Sequence, residues 1–377
     1  MREIYFDHAA TTKPYPEVLS VFDKVSRDDF ANASSRHALG LKSHDLLEKA
    51  RRQIARYLDV KDNEVIFTSG ASEGNNLAIK GVAYHNKSWA NRIITTKAEH
   101  PSVRNVFEEL QKEGFDVVYL DYDKDGNLNL DELKNALNSH TSLVSIRAVN
   151  NELGDVFPIS KAYEIIQQSK AVLHVDATQA IGKEPIRSSD YDLRTFSGHK
   201  IGGLKGSGLL VKKERVRLDE QILGGSQESG YRAGTSMLPL DCSLATALRL
   251  SLTSRNRRRE NAKKRNDYLR AELSKMDEIV ITSPFNGSPF ILSFAFTKHK
   301  GSVIAQALSD KGIYVSTKSA CSAREAGFSS IVKNAGFDEI ISSNNIRLSF
   351  SGREDIQDGE YFIQTLKDIL QDIKIKE

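Results

Sequence analysis

The sequence predicts an α/β fold with a mostly parallel, seven-stranded sheet in a large domain, joined to a smaller α+β domain. Between about residues 64 and 211, short β-branched runs alternate with longer amphipathic runs, as in strands joined by crossover helices. After about residue 250 this alternation stops and one long charged helical stretch begins. The length of 377 residues also exceeds the usual size of one hydrophobic core, so two domains are expected.

The strands of the predicted large sheet are apolar runs, in order EVIFT, RIITT, DVVYL, LVSIRAV, AVLHVDA, LRTFS and GLLVK. Most are separated by helical patterns, among them SEGNNLAIKGVAYH, HPSVRNVFEELQKEG and ISKAYEIIQQSK. In the second part, TSRNRRRENAKKRNDYLRAELSKM predicts a long helix, while FILSFAF and NNIRLSFS predict strands. The stretches SVIAQALSDKG and DGEYFIQTLKDILQDI predict two further helices.

Composition narrows the possible functions. A formal net charge of +3 is small for this length and gives no reason to expect a nucleic-acid partner or a membrane surface. The two cysteines, Cys242 and Cys321, cannot form a disulfide scaffold. The start MREIYFDHAATT lacks the apolar core of a signal peptide, and no apolar run is long enough to span a bilayer. We therefore expect a cytoplasmic protein.

Polar residues follow several of the predicted strands. Ligands of open α/β sheets bind outside the carboxyl ends of the strands, so we expect these side chains to converge on one crevice. The residues concerned are Ser69, His100, Asn151, Asp176, His199 and Lys200.

Asp176 and Lys200 end two neighbouring predicted strands, in HVDATQA and FSGHK. A lysine amine can form a Schiff base with the aldehyde of pyridoxal phosphate (PLP), whose pyridine nitrogen then needs an acid beside it. The pair fits these two roles. Taken alone, it is more typical of a helix-capping aspartate and a surface lysine.

The stretch TSGASEGNN places small residues between a strand and a helix. Backbone N–H groups there, with the Ser72 hydroxyl, could hold a phosphate. Ser72 and Glu73 also suit a capping box, and the two interpretations are compatible.

His100, in KAEHPSV, could stack on a planar cofactor or be structural. Arg347, inside the apolar NNIRLSFSG, could clamp a carboxylate or form a structural ion pair.

The two cysteines have different surroundings. Cys321 lies among small polar residues in KSACSAREAG, with Lys318 and Arg324 nearby, so it is either a nucleophilic thiol or an incidental loop cysteine. Cys242, in LPLDCSLATAL, is predicted to be part of a helix core.

Two further stretches have competing interpretations. DYDKDGNLNLDE fits the calcium loop of an EF-hand, but FDVVYL before it is strand-like, which favours a polar turn between strand and helix, and we expect no metal site. The basic run RNRRRENAKKR is either a docking face for an acidic partner or RNA, or the solvated face of a helix.

Taken together, the motifs resemble the cysteine desulfurases of the NifS/IscS type, in the class V aminotransferase group of fold-type I PLP enzymes. The resemblance spans nearly the whole chain, with the motifs in family order. They are YFDHAATT, FANASSRHALG, SGASEGNN, AEHPSV, VNNELG, HVDATQA, SGHK, GGSQESGYRAGT, SACSA and IRLS.

The resemblance implies a fold-type I transferase with a PLP-binding domain at residues 14–250. Residues 1–13 and 251–377 would form the small domain that carries the cysteine loop. It implies a homodimer that converts L-cysteine to L-alanine and passes sulfur to an acceptor, either an iron–sulfur scaffold protein or a tRNA-thiolation enzyme. The alternatives are a selenocysteine lyase, another class V aminotransferase-type enzyme, and a non-catalytic scaffold.

The resemblance also assigns roles to residues. Lys200 would carry PLP, Asp176 would pair with its pyridine nitrogen, and Cys321 would form the persulfide. His100 and Gln179 would lie near the ring face and phenolate, with His100 moving the thiol proton. Asn151 and Arg347 would bind the substrate carboxylate. The phosphate would be held by Ala71, Ser72, Ser197 and His199, with Thr235 reaching it from the neighbouring subunit.

Three residues depart from the family pattern, and none of them has an implied catalytic role. Ser229 stands where Arg is usual, Lys318 where Gly is common, and Gly203 where Pro is frequent. Lys318 leaves the flexibility of the cysteine loop and its choice of partner open.

Overall fold

A computed structural model describes residues 2–317 and 329–376. The strands of the described chain are β1 (Ile4–Tyr5), β2 (Val65–Thr68), β3 (Arg92–Thr96), β4 (Asp116–Leu120), β5 (Thr141–Arg147), β6 (Val172–Asp176), β7 (Leu193–Ser197), β8 (Gly208–Lys212), β9 (Ile279–Ile281), β10 (Ile291–Phe296), β11 (Ile313–Tyr314) and β12 (Asn345–Ser349). The α-helices are α1 (Pro16–Asp28), α2 (Ala38–Leu58), α3 (Ala71–Asn86), α4 (Pro101–Lys112), α5 (Leu130–Ala136), α6 (Ile159–Ile166), α7 (Leu238–Thr253), α8 (Arg255–Leu273), α9 (Gly301–Asp310), α10 (Ser330–Asn334), α11 (Glu339–Ser343) and α12 (Gln357–Lys376).

The large sheet confirms the predicted fold. Its seven strands run in the order β2-β8-β7-β6-β5-β3-β4, and each corresponds to one of the apolar runs of the sequence. The strands β4, β3, β5, β6 and β7 are mutually parallel, and only β8 runs antiparallel to its neighbours. β8 reverses because the short connection from β7 leaves no room for a crossover helix, which parallel strands require.

A second core lies around the smaller sheets. β12, β10 and β9 form an antiparallel sheet, and β1 pairs with β11. Ile4 and Phe6 from the N-terminal segment belong to the same buried cluster as Phe294, Leu348 and Leu366. The predicted division into residues 14–250 and residues 1–13 with 251–377 stays a prediction, and this shared core supports it.

The basic run proves to be part of α8, and not all of it faces solvent. Arg258 and Arg265 are buried, with exposed fractions of 5% and 1%. Arg265 pairs with Glu354 at 3.0 Å, and Arg259 on the exposed side pairs with Glu184 at 2.9 Å. Both earlier interpretations of this run, as a docking face or as a solvated face, therefore miss its structural arginines.

The EF-hand-like stretch is a polar turn between β4 and α5, as predicted. Asp123 Oδ1 accepts hydrogen bonds from the backbone N–H groups of Asp125 and Asn127, both at 2.9 Å. Glu132, at the position of the last calcium ligand, accepts from the backbone of Asp121 at 2.9 Å. Within residues 2–317 and 329–376, no cluster of three metal-ligating side chains occurs. Nor does any helix there have the length and apolarity needed to cross a membrane.

Candidate active site

A cavity of about 190 Å³ opens at the carboxyl ends of β5, β6 and β7, where the starts of α3 and α4 meet β12. It gathers most of the side chains that the sequence named. These are Ala71, Ser72, His100, Asn151, Asp176, Gln179, Ser197, His199, Lys200 and Arg347. Of the six strand-end residues expected to converge on one crevice, five line this cavity and Ser69 does not.

Thr235, which the resemblance assigns to the phosphate, does not line the cavity. Thr235 is exposed on the loop that follows β8 and precedes α7. Cys321 lies outside the described residues, as does Lys318. Cys242 is buried in α7, as predicted, and burial raises the pKa of its thiol to about 12. Its pKa and burial make Cys242 unsuitable as a nucleophile.

Lys200 ends a short 3₁₀ turn, Gly198–Lys200, directly after β7. Its Nζ donates to the backbone oxygens of Ala9 at 2.6 Å and Ala10 at 2.8 Å. Gln179 Nε2 also donates to the oxygen of Ala9, at 2.9 Å. The N-terminal segment therefore fixes the amine at the cavity wall through its backbone.

Asp176 is the last residue of β6 and is buried. Its Oδ1 accepts from the backbone N–H of Thr178 at 2.9 Å, and its Oδ2 accepts from Asn75 Nδ2 at 3.1 Å. A carboxylate has about four acceptor sites, so this one can still accept from a further donor in the cavity.

The start of α3 forms the opposite end of the cavity. Ala71 N donates to Ser197 Oγ at 2.7 Å, which ties the helix to the end of β7. The suggested capping box at Ser72 is wrong: the N-cap is Gly70, Ser72 lies inside the first turn, and Glu73 accepts from Ser69 instead. Ser72 remains at the helix N-terminus, where backbone N–H groups and the helix dipole favour an anion.

His100 caps the start of α4. Its Nδ1 accepts from the backbone N–H of Ser102 at 3.1 Å, so the neutral ring carries its proton on Nε2. Burial lowers the pKa of His100 to about 4; Lys200 and Arg147 lower it as well, and Asp176 opposes them. Burial likewise lowers the pKa of His199 to about 4, with Lys200 contributing. Both imidazoles are therefore neutral at pH 7.

Arg347 fits both earlier interpretations. It lines the cavity, and its Nη2 also pairs with Asp7 Oδ1 at 2.5 Å. Its Nη1 donates to the backbone oxygen of Asn151 at 2.8 Å. The side-chain oxygen of Asn151 accepts from Arg147 Nη1, also at 2.8 Å. Asn151 is thus held between two guanidinium groups.

The sequence interpretation missed several residues of the cavity. Ala9 and Ala10 act through backbone carbonyls, which no side-chain pattern reveals. Arg147 was missed although its signal was present, because a charged residue inside the apolar run LVSIRAV is the same signal that identified Arg347. The remaining lining residues are Ser102, Val149 and Thr178.

The chain is similar to known proteins over nearly its whole length. A curated relative from Lactobacillus delbrueckii subsp. bulgaricus, named NifS/IcsS protein homolog, is 38% identical, covering 98% of this chain and 97% of its own. Cysteine desulfurase IscS of Clostridium botulinum is 34% identical, covering 98% and 95%. A solved structure of a NifS-like protein has a TM-score of 0.93 at 32% identity, covering 98% of this chain and 100% of its own. The family model for class V aminotransferases matches residues 4–360, so this chain belongs to the class V aminotransferase family.

Proposed function

We propose that this protein is a PLP-dependent cysteine desulfurase. It converts L-cysteine to L-alanine and leaves the sulfur as a persulfide on Cys321, from which an acceptor protein takes it. The observation that carries the proposal is the cavity itself, which brings Lys200, Asp176 and a helix N-terminus together. One curated relative is named a cysteine desulfurase, which favours this activity over a selenocysteine lyase or another aminotransferase-type enzyme.

The cavity's donors and acceptors fit PLP at three separate points. The start of α3 with Ser72, Ser197 and His199 would hold the phosphate, since neutral donors and a helix dipole suit an anion. Asp176 would accept from the pyridine N–H. Lys200 would attach to the aldehyde. The Thr178 hydroxyl oxygen is buried without a hydrogen-bond partner in the described chain, so it is open to a ligand in the cavity.

When bound, PLP supplies an electron sink that makes the substrate's α-hydrogen removable. Lys200 then moves that proton, since its amine is anchored beside the cavity by Ala9 and Ala10. Arg347 and Asn151 orient the substrate carboxylate. His100 is neutral at pH 7 with its proton on Nε2, so it would donate a hydrogen bond to a thiolate in the cavity, and its transfer of the thiol proton stays a prediction. Asp176 keeps its carboxylate beside the ring nitrogen through Asn75 and Thr178.

The transfer of sulfur from cysteine to Cys321 needs no added oxidant or reductant. The Cys321 sulfur attacks the substrate sulfur, a sulfur–sulfur bond forms, and the carbon–sulfur bond of cysteine breaks. The electron pair of that bond goes to the β-carbon, which takes up the proton that the Cys321 thiol loses. L-Alanine and the Cys321 persulfide are the products. The described residue Ser316 lies five positions before Cys321 and pairs with Arg347 through two backbone hydrogen bonds, at 3.2 and 2.7 Å. Five extended residues span about 18 Å at most, which supports delivery of the thiol to this cavity.

Replacement of Cys321 tests the proposal. We expect Cys321→Ser to keep the PLP absorbance but to gain no sulfur atom when incubated with L-cysteine, as measured by intact-protein mass spectrometry. Cys242→Ser is the matched control, because Cys242 is buried outside the cavity, and it should form the persulfide normally. Equal persulfide formation by Cys321→Ser and the wild type would refute the role of Cys321.

We further infer a cytoplasmic homodimer in which Thr235 of one subunit reaches the phosphate of the other. Its exposure on the single chain supports this arrangement. Mixed dimers of Thr235→Ala and Lys200→Ala subunits provide the test, because a shared site would restore one complete site per dimer. Activity no higher than that of the Thr235→Ala protein alone would contradict the sharing. An iron–sulfur scaffold or a tRNA-thiolation enzyme remains the proposed class of acceptor.

A further inference from the structure

Arg147 places a second guanidinium at the cavity beside Arg347. It is the last residue of β5, is 2% exposed, and lines the cavity. Its Nη1 donates to Asn151 Oδ1 at 2.8 Å, while Nε and Nη2 are buried without a hydrogen-bond partner in the described chain. A buried charge with unsatisfied donors is costly unless a ligand of opposite charge completes it.

The two arginines differ in how their charge is compensated. Arg347 forms an ion pair with Asp7 at 2.5 Å, whereas Arg147 forms none within the described residues. The nearby acid Glu99 accepts from the backbone N–H of Arg147 at 3.0 Å and from Thr96 Oγ1 at 2.8 Å. Burial raises the pKa of Glu99 to about 7, so this carboxyl is only partly ionised at neutral pH. Burial also raises the pKa of a second nearby acid, Asp155, to about 6. Neither acid hydrogen-bonds the Arg147 guanidinium within the described residues, so its Nε and Nη2 donors stay open to an anionic ligand.

The unsatisfied atoms also indicate which anion fits. Nε and Nη2 lie on one edge of a guanidinium and donate in parallel, which matches the two oxygens of a carboxylate. A single phenolate oxygen or a thiolate could accept from both donors only through bent hydrogen bonds, whereas a carboxylate gives each donor its own oxygen. The phosphate end of the cavity is a different region, formed by Ala71, Ser72, Ser197 and His199.

We propose that Arg147 is a specificity-determining residue that binds the carboxylate of the amino-acid substrate together with Arg347, on either side of Asn151. This inference rests on the proposed function, because it deepens the assignment of the same site. It predicts that selection for an α-amino acid over a simple amine depends on Arg147 as well as on Arg347.

L-Alanine and ethylamine provide the matched ligands, since they differ only by the carboxylate. Affinities of PLP-loaded protein are measured from the absorbance change on binding, which requires no sulfur chemistry. Arg147→Met should weaken L-alanine binding roughly 10- to 100-fold, as expected for lost hydrogen bonds to a charged group, and leave ethylamine binding unchanged. The affinity of Arg147→Lys for L-alanine should lie between those of Arg147→Met and the wild type.

Arg194→Met is the control for loss of a buried arginine. Arg194 is 3% exposed and also has unpartnered Nε and Nη2 atoms, but its guanidinium lies 4.6 Å from the ring centre of Tyr191 and it does not line the cavity. Its substitution should leave both affinities unchanged. Circular dichroism confirms that each variant is folded.

Three results would overturn the inference. Unchanged L-alanine affinity in Arg147→Met, or an equal loss of affinity for both ligands, would show that Arg147 does not bind the substrate carboxylate. An altered absorbance spectrum of Arg147→Met before any amine is added would assign Arg147 to the cofactor's phenolate instead. Wild-type protein that binds PLP and L-alanine but transfers no sulfur from cysteine would refute the proposed function while leaving the Arg147 contact testable.

Discussion

Lys200 and Gln179 share one hydrogen-bond acceptor, the backbone oxygen of Ala9, at 2.6 and 2.9 Å. The other end of the Gln179 amide accepts from Lys183 Nζ at 3.1 Å. Two lysines are thus linked through one glutamine and one carbonyl of the N-terminal segment. Because Lys183 fixes the amide oxygen, the Gln179 amide nitrogen is the end presented toward Ala9 and the cavity.

Covalent attachment of PLP at Lys200 is the most direct prediction. Borohydride reduction of the purified enzyme should leave the reduced cofactor on the peptide that contains Lys200, as located by mass spectrometry. Lys183 is also buried near the site, and its peptide should carry no adduct in the wild type. Lys183→Met is therefore the matched control and should be labelled as the wild type is. Recovery of the adduct on Lys183, or on no lysine, would contradict the assignment.

The pH dependence of stability should report on Lys183. Burial lowers its pKa to about 7, with Lys200 and Arg258 contributing, whereas an unfolded lysine titrates near 10.4. Between these values the unfolded state binds a proton that the folded state does not, so the free energy of unfolding rises with pH. We expect the wild type to gain thermal stability relative to Lys183→Met between pH 7 and about 10.

Thermal unfolding of the PLP-free proteins at several pH values measures this effect. Lys170→Met, which alters an exposed lysine, serves as the control and should follow the wild-type pH profile. Parallel profiles of the wild type and Lys183→Met would show that Lys183 remains charged in the folded protein.

Asp176 should be required for turnover rather than for folding. Asp176→Asn keeps the shape and can still accept from Thr178, but its neutral amide cannot stabilise a protonated pyridine nitrogen. We expect a loss in kcat of roughly 100-fold or more, by analogy with removal of one preorganised electrostatic contact. The absorbance of bound PLP should shift as well. If Asp176→Asn had the spectrum and the kcat of the wild type, Asp176 would not stabilise the protonated pyridine nitrogen.

The sequence predicted the large sheet well because its strands are short, apolar and separated by helical patterns. The antiparallel direction of β8 depends on the short connection after Ser197, which the strand pattern alone does not reveal. Ser72 was assigned to a capping box by residue type, but helix α3 begins one residue before it, at Ala71.

The sequence predicted those parts of the site that act through a side chain. It did not reveal the backbone groups, or the contacts made by a segment that is distant in sequence. Asp176 and Lys200 follow strands, so sheet topology brings them together. Ala9 contributes only a carbonyl oxygen, from a segment more than 160 residues away in sequence from Gln179. The pairing of Arg347 with Asp7 likewise depends on the return of the N-terminal segment to β12, which no local pattern records.

Arg258, one of the two buried arginines of α8, should contribute strongly to stability. Arg258 Nη1 donates to the backbone oxygen of Ser351 at 3.0 Å, and its Nη2 donates to those of Gly182 at 2.5 Å and Ser251 at 2.9 Å. Arg258→Met would leave these carbonyls without their donor, at a cost of about 2–4 kcal/mol in the free energy of unfolding. Urea denaturation measures this loss. Arg257→Met, at an exposed position of the same helix, should change stability by about 0.5 kcal/mol or less. If both variants lost the same small amount, the contacts of Arg258 with Gly182, Ser251 and Ser351 would contribute little to stability.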